Sequence, residues 1–520
     1  MRKLLLLGVT AVTLGFAGAS LQCGGSAEGT VAEPGPSGSV PGFGSVPTWG
    51  QQVRDGKGLA TSATSVDVHG NLFVAGTLYG TSDLGTGPVT SAGGGDVLLA
   101  KIDATGHTMW TRDFGDRSDQ FAYSVATDAA GNVVIAGSFA GALDFGNGGP
   151  LLSPDRTTAS PTLPDRALRA IGARDVFVAK LDGDGGLLWA AQFGGQSATA
   201  EARAVAIGAT GDIALTGSFD HVVSFGGDPH PAAGPTDAFV TLLDPAGRPV
   251  WTRTWGDGIG MHGTSVAVDA WGDVLATGTF EGTVDLGNGP LISHGGRDVF
   301  LAKLGGVVVT SSRVVPALSV PGGRTLWSKG FGDQWDDYAI AVAVDRAGDT
   351  FTLAQYTGTV DLGAGPLAAN GERFFGSADI FVARYDRGGQ AAWARHYGAP
   401  NIVDWADALA VDADGNAYFS GRIFNPIVVG GCDASPTIAV REQGQAIVAK
   451  VDPNGNGVCV HRYGDGAWSE VRALAVHPAR GLIMVGEFEG AIDLSQGPLV
   501  SPDAPSGFIA REDVFPTPLL

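Results

Sequence analysis

The chain has 520 residues, of which 82 are Gly and 28 Pro; 16% are charged and 44% apolar. That composition excludes a fold of long amphipathic helices, and its apolar content excludes general disorder. A net charge of −21 without any basic run excludes nucleic acid as a partner and excludes attachment to anionic lipid through a charged patch.

The first segment reads as an export signal. Arg2 and Lys3 precede a short apolar stretch, Leu4 to Phe16, that cannot span a bilayer. Two cleavage readings compete. Ala17-Gly18-Ala19 fits a freely secreted protein; Ser20-Leu21-Gln22-Cys23 resembles a bacterial lipoprotein signal, although Gln22 is bulkier than the usual small residue. We take the second, with residues 1–22 as signal peptide and Cys23 as the lipidated residue. The lipid is then the only membrane contact, and the protein is expected at the outer membrane, the cell surface or the periplasm, or else secreted. Residues 23–47, rich in Gly, Ser and Pro, form a flexible tether. Its root-mean-square span is on the order of 25–30 Å. The remaining cysteines, Cys432 and Cys459, are expected to pair in an oxidising compartment, with two buried thiols as the alternative.

Beyond the tether, one unit recurs seven times, each with four segments bounded by turn residues. The first is a small-residue strand such as Ser124-Val125-Ala126-Thr127-Asp128. The second follows a Gly-Asn or Gly-Asp turn, as in Gly131 to Gly137. The third is apolar, as in Asp175-Val176-Phe177-Val178-Ala179-Lys180. The fourth opens on Trp and ends in aromatic-Gly, as in Trp189 to Gly194.

The phases of these segments are offset. Third segments end at Lys101, Lys180, Leu242, Lys303, Arg384, Lys450 and Arg511. Fourth segments open at Trp49, Trp110, Trp189, Trp251, Trp327 and Trp393, with Cys459 in the sixth unit. The chain therefore begins with an orphan fourth strand, Thr48 to Val53, and ends after an orphan third strand, Phe508 to Arg511. Joining the two shuts a ring and leaves no open array with bare strand edges. The expected fold is all-β: a seven-bladed β-propeller over residues 48–511, of four-stranded blades, with the N-terminal strand closing the last blade and residues 512–520 as a tail. The Asp-Val-Phe-Val-Ala-Lys run, the Gly-Asn hairpin and the Gly-x-Gly-Pro turns (Gly85 to Pro88, Gly287 to Pro290, Gly363 to Pro366) resemble the bacterial SBBP β-propeller repeat. The resemblance implies a cell-surface or secreted propeller, without implying a chemistry.

Features that recur from blade to blade read as scaffold. Asp96, Asp175, Asp237, Asp298 and Asp379 open third strands and are expected to bind backbone N–H groups. The Trp residues are expected to pack between blades. Asp412 to Asn416 and Asp452 to Gly457 resemble calcium loops but lie at hairpin turns, and Tyr463 stands where an EF-hand loop would close on Glu. No cofactor is assigned; a structural calcium is the one the residues leave open. There is no His-Glu-x-x-His, no metal-spaced His/Cys cluster and no Gly-x-Ser-x-Gly, so no catalytic or metal-binding residue is assigned.

The connections from each fourth strand to the next first strand vary instead, and carry aromatics among acids. Tyr123, Trp335, Asp336, Asp337, Tyr338, Trp405, Asp407, Trp468 and Glu470 are the candidate binding residues. Topology places these connections on one face with the second-to-third loops and the Leu151 to Ile171 insertion; the Gly306 to Gly323 insertion belongs on the other. The function expected is a monomeric, non-enzymatic binding module for a glycan, a peptide or an envelope protein. The alternatives are a glycan-active hydrolase or lyase using carboxylates such as Asp336 and Asp337, and a structural component of the envelope.

Overall fold

The structure is a computed structural model that describes residues 48–55, 59–146, 151–152, 167–256, 258–306, 322–369, 378–398, 404–424, 444–464, 468–477, 481–494 and 497–512. Outside the described residues lie the expected signal peptide (residues 1–22), Cys23, the expected tether, Cys432, residues 513–520 and most of the two insertions. Among the described residues every regular element is a strand, and no helix is long and apolar enough to cross a membrane.

The strands form a seven-bladed β-propeller. Blades 1 to 3 run Leu59–Val66, Leu72–Leu78, Asp96–Ile102, Thr108–Phe114; Gln120–Thr127, Val133–Phe139, Asp175–Leu181, Leu187–Phe193; and Ala200–Ile207, Ile213–Phe219, Asp237–Leu243, Pro249–Trp255. Blades 4 to 6 run His262–Val268, Val274–Phe280, Asp298–Leu304, Thr325–Phe331; Tyr338–Val344, Thr350–Tyr356, Asp379–Tyr385, Ala391–Tyr397; and Trp405–Val411, Ala417–Ile423, Gln445–Val451, Gly457–Tyr463. Blade 7 takes Ser469–His477, Gly481–Leu494 and Gly497–Glu512 from the end of the chain and Trp49–Asp55 from its beginning. The third strands run one residue past their expected ends, so the ring reaches Glu512.

Closure is antiparallel and in register: Trp49 faces Arg511, Gln51 faces Ile509 and Val53 faces Gly507. The first strands adjoin one another around the axis, including the seventh against the first. Second and third strands are almost wholly buried because neighbouring blades cover both faces, which explains their continuous apolar runs. Each core therefore belongs to an interface. Trp49, Val53, Ala473, Ile483, Val485 and Ile509 of blade 7 pack with Leu59, Leu72, Val74 and Leu98 of blade 1.

In blades 1 to 5 the connection from second to third strand, expected as a loop, carries a short two-stranded hairpin of its own. Thr81–Asp83 pairs with Val89–Thr90, and Thr283–Asp285 with Pro290–Ile292. The Gly-x-Gly-Pro motif is its tip. Asp285 Oδ1 accepts N–H bonds from Gly287 at 2.7 Å and Gly289 at 3.1 Å, both glycines holding φ near +100°. In blade 7 the hairpin fuses with its parent strands, giving elements of 14 and 16 residues.

The Trp at the head of each fourth strand locks one blade to the next. Trp49 lies against Gly106 and donates Nε1–H to the Ala104 carbonyl at 3.2 Å. Trp110, Trp189, Trp327 and Trp393 donate to Gly183, Pro245, Arg387 and Pro453, each in the third-to-fourth turn of the following blade. Trp251 packs on Gly322 and Gly323, so the neck of the Gly306–Gly323 insertion holds the same place. A Cβ at these turn glycines would meet the indole at 2.3–3.4 Å. The exception at Cys459 has a topological cause. The third and fourth strands of blade 7 come from opposite chain ends, so no turn joins them for a Trp to cover. Cys459 is buried and disulfide-bonded; the expected partner, Cys432, lies outside the described residues.

Removing a latch leaves a cavity and an unpaired carbonyl. Trp49→Ala and Trp189→Ala are each expected to cost about 3 kcal/mol, measured by denaturant unfolding. Val458→Ala, at a position 38% exposed on the unlatched blade, should cost under about 0.5 kcal/mol. Equal costs at Trp49 and Val458 would contradict the latch.

Candidate functional site

Every first strand carries a β-bulge near its start, between Thr61/Ala63, Ala122/Ser124, Ala202/Ala204, Gly263/Ser265, Ala339/Ala341, Ala406/Ala408 and Val471/Ala473. The residues on the bulges are Ser62, Tyr123, Arg203, Thr264, Ile340, Asp407 and Arg472. A bulge frees one side chain from the ladder and re-aims it. A glycine in the second strand makes room: a Cβ at Gly137, Gly217 or Gly278 would stand within 2 Å of the Phe121, Glu201 or His262 carbonyl oxygen. Blade 5 manages with Ala354.

Because first strands line the axis, the bulges ring the mouth of the central channel on the face of the fourth-to-first connections. Two residues earlier stand Ala60, Phe121, Glu201, His262, Tyr338, Trp405 and Glu470, on the same strand face. In blades 3 to 6 both positions are half-buried while the residue between is buried.

Three arginine-centred clusters occupy this mouth. At blades 2 and 3, Glu201 binds Arg174 at 3.0 Å and Arg203 at 2.5 Å. The two guanidiniums lie over Phe121 at 4.9 Å and Tyr123 at 4.6 Å, and those rings stack at 6.1 Å. At blades 4 and 5, Arg297 binds Glu281 at 3.0 Å and lies 5.9 Å from the Tyr338 ring. At blades 6 and 7, Glu470 binds Arg472, and Arg422 at 3.6 Å; Arg472 also meets Glu487 at 3.3 Å. Arg422 lies 5.8 Å from the Trp405 ring and 5.9 Å from that of Trp468. Each cation–π contact contributes about 0.5–2 kcal/mol, more as it is desolvated.

These positions revise the acidic, loop-borne surface expected from the sequence. Tyr123, Tyr338, Trp405, Asp407 and Glu470 belong to the inner strands; Trp335, Asp336, Asp337 and Trp468 belong to connections. Tyr123 is 6% exposed, closed over by Arg203. Asp337 is fully buried, accepting N–H bonds from Thr357 at 2.9 Å and Asp333 at 3.1 Å, so it pins the connection. Asp336 is exposed, accepting the Arg297 N–H at 3.0 Å and the Tyr338 hydroxyl at 3.1 Å. Trp335 is half-buried, with its N–H on Asp333 at 2.9 Å.

Sequence reasoning missed the arginines. Arg174 and Arg297 hold the same place in the repeat, immediately before the Asp that opens the third strand. Glu201-Ala202-Arg203 and Glu470-Val471-Arg472 also coincide in phase. Aligning the repeats by their second-strand glycine exposes both patterns.

The residues read as scaffold behave as such. Asp175 accepts N–H bonds from Ile171 at 2.8 Å and Gly172 at 3.1 Å, and a Cβ at Gly194 would strike its carboxylate at 2.1 Å, which accounts for the aromatic-Gly ending. Asp412 and Asp452 spend Oδ1 on the backbone N–H groups two and four residues on. Among the described residues no three His, Cys, Asp or Glu side chains are grouped as a metal site.

Burial pushes the Asp298 carboxyl up to about 6 and that of Asp337 up to about 8. Burial, then the charge of Glu470, pushes Asp407 well above the usual carboxylate range. A carboxyl raised in the folded state binds a proton that the unfolded chain releases near pH 4, so stability falls as pH rises from about 4 to 8. Denaturant unfolding at pH 5 and pH 8 should show the fall, and Asp407→Asn should reduce it. A slope of opposite sign, or one untouched by the substitution, would contradict the assignment.

No family model matches the chain, that of the SBBP repeat included, and no curated protein matches it. Solved structures that align with it include a Synechocystis apocarotenoid oxygenase (11% identity, TM-score 0.35, 91% of this chain and 95% of that one). Others are a protein of unknown function from Bacteroides caccae (10%, 0.29, 65% and 82%) and a puromycin hydrolase mutant complexed with PGG (10%, 0.31, 82% and 58%). Likeness at this level says nothing of the chemistry at the mouth.

Proposed function

We propose that the protein is an exported, lipid-anchored propeller that binds a ligand or partner at the mouth of its channel, without catalysing a reaction on it. One observation carries the reading. The bulge repeats in all seven blades, but the residues on it are Ser, Tyr, Arg, Thr, Ile, Asp and Arg. A scaffold requirement would repeat the side chain as it repeats the Trp latch; a surface fitted to one ligand would not. The clustered arginines add a second reason. Guanidiniums placed over aromatic rings and paired with glutamates are ordered before binding, so less side-chain entropy is lost when a ligand arrives.

Export and anchoring rest on the Arg2-Lys3 start, the apolar stretch after it and Cys23. The tether gives the ring about 25–30 Å of clearance from a lipid surface.

Immobilised protein, screened against oligosaccharides, peptides and envelope extract, should capture a ligand that Arg203→Gln and Tyr338→Ala release at least tenfold more readily at unchanged melting temperature. Retention by both variants would place binding elsewhere. For the anchor, mass spectrometry of the mature N-terminus should find a diacylglyceryl-modified Cys23, and Cys23→Ser should shift the protein to the soluble fraction. An unmodified N-terminus at residue 20 would contradict the anchor and leave secretion.

A further inference from the structure

The junction of blades 6 and 7 differs from the other two arginine clusters in leaving hydrogen-bonding capacity unmet. Asp407 Oδ2 and Arg422 Nε are shielded from solvent and have no hydrogen-bond partner; the nearest carboxylate oxygen to that Nε is that of Glu470 at 3.6 Å. Both belong to side chains at the mouth, and Asp407 as a whole is half-buried. An unmet buried donor or acceptor costs about 1–3 kcal/mol, so this pair marks a place where a polar group is wanted.

Charge narrows what that group is. Arg422 and Arg472 are balanced by Glu470 and Glu487 in the same cluster. An anion would have to displace Glu470 from two guanidiniums. A cation would meet Arg422 already standing by both indoles. An apolar ligand would leave the Asp407 oxygen and the Arg422 N–H as unsatisfied as before. A hydroxyl-rich neutral ligand suffers none of these penalties. One hydroxyl donates to Asp407 Oδ2 and its neighbour accepts from Arg422 Nε. The C–H faces of a pyranose ring match the half-buried indoles of Trp405 and Trp468. The terminal carboxyl torsion of an Asp is soft, so Oδ2 can turn toward the mouth at small cost.

Resting on the reading of the mouth as the binding surface, we propose that the Trp405–Asp407–Arg422–Trp468 junction is a subsite for a neutral saccharide unit. Asp407 and Arg422 read adjacent hydroxyls, and Glu470 acts as a positioning residue that fixes both arginines.

The full chain is titrated calorimetrically with cellohexaose, chitohexaose and mannohexaose, and with oligogalacturonate as an acidic probe. At least one neutral hexasaccharide should bind, with an affinity that stays within twofold between about 50 and 500 mM salt. Trp468→Ala and Asp407→Ala should each weaken it at least tenfold. Trp468→Phe keeps an aromatic face and should lose less than Trp468→Ala, which guards against a mere folding defect. Ile292→Ser, a 59% exposed position on the outer hairpin of blade 4, should leave binding unchanged. Binding of oligogalacturonate alone, binding of no hexasaccharide, or neutral binding that survives both alanine variants would overturn the proposal. Should no hexasaccharide bind while a captured ligand is still released by Arg203→Gln, the saccharide subsite falls and the binding mouth stands.

Discussion

The whole architecture depends on one pairing: the first ordered strand of the chain against the last. Without Trp49–Asp55, Gly497–Glu512 would be a bare edge and blade 1 would lose the partner of its Gly106 turn. The pairing spans nearly the full length of the chain, so its loop-closure entropy is the largest that any contact in the fold must overcome. The compensation is distributed. It comes from an antiparallel register over five residues, the Trp49 latch, the Arg511 bond to the Ala104 carbonyl at 2.8 Å, and an apolar core shared by blades 7 and 1. The same topology explains why a Cys stands where the sixth unit should have a Trp.

Ring closure also assembles the candidate binding surface. Seven first strands are brought side by side only when the circle is complete, and a device repeated in each of them then points seven independent side chains at one place. The scaffold thus separates two demands on the sequence. Latch tryptophans, Asx turns and the buried Asp that opens a third strand are fixed by packing and hydrogen bonding. The bulge and the residue two before it are free to vary, and they hold Tyr, Arg, Asp and Glu where a small-residue strand would otherwise face the axis. A chain of net charge −21 gathers five arginines there, each against an aromatic ring or a glutamate. Local charge at the mouth is therefore decoupled from the acidity of the whole.

Fold was legible because it is written seven times. Asp-Val-Phe-Val-Ala-Lys and Trp-to-aromatic-Gly are strand signals that repetition makes secure, and the offset of their phases gave the closing strand. The site was only half legible. Tyr123, Tyr338, Trp405, Asp407 and Glu470 stand out in the sequence because they vary between repeats, and the structure places them on the inner strands. Sequence alone suggests loops for them because a bulge carries no local propensity of its own; it shows only as a glycine on the neighbouring strand. Asp337 looked like half of a paired carboxylate and is a buried turn residue, since adjacent residues point to opposite sides of the chain. Arg174 and Arg297 were hidden beside the Asp that follows them, whose scaffold role drew the attention. The hairpin between second and third strands was missed because its strands are two or three residues long, too short for periodicity to register.

Native-state hydrogen exchange tests the closed ring most directly. The amides of Trp49–Val53 that pair with the last strand should exchange at the same free energy as those of Gly507–Arg511, close to that of global unfolding. Amides at residues 49–53 exchanging like a free peptide, while the strands of blades 2 to 5 stay protected, would contradict the ring and the channel mouth built upon it.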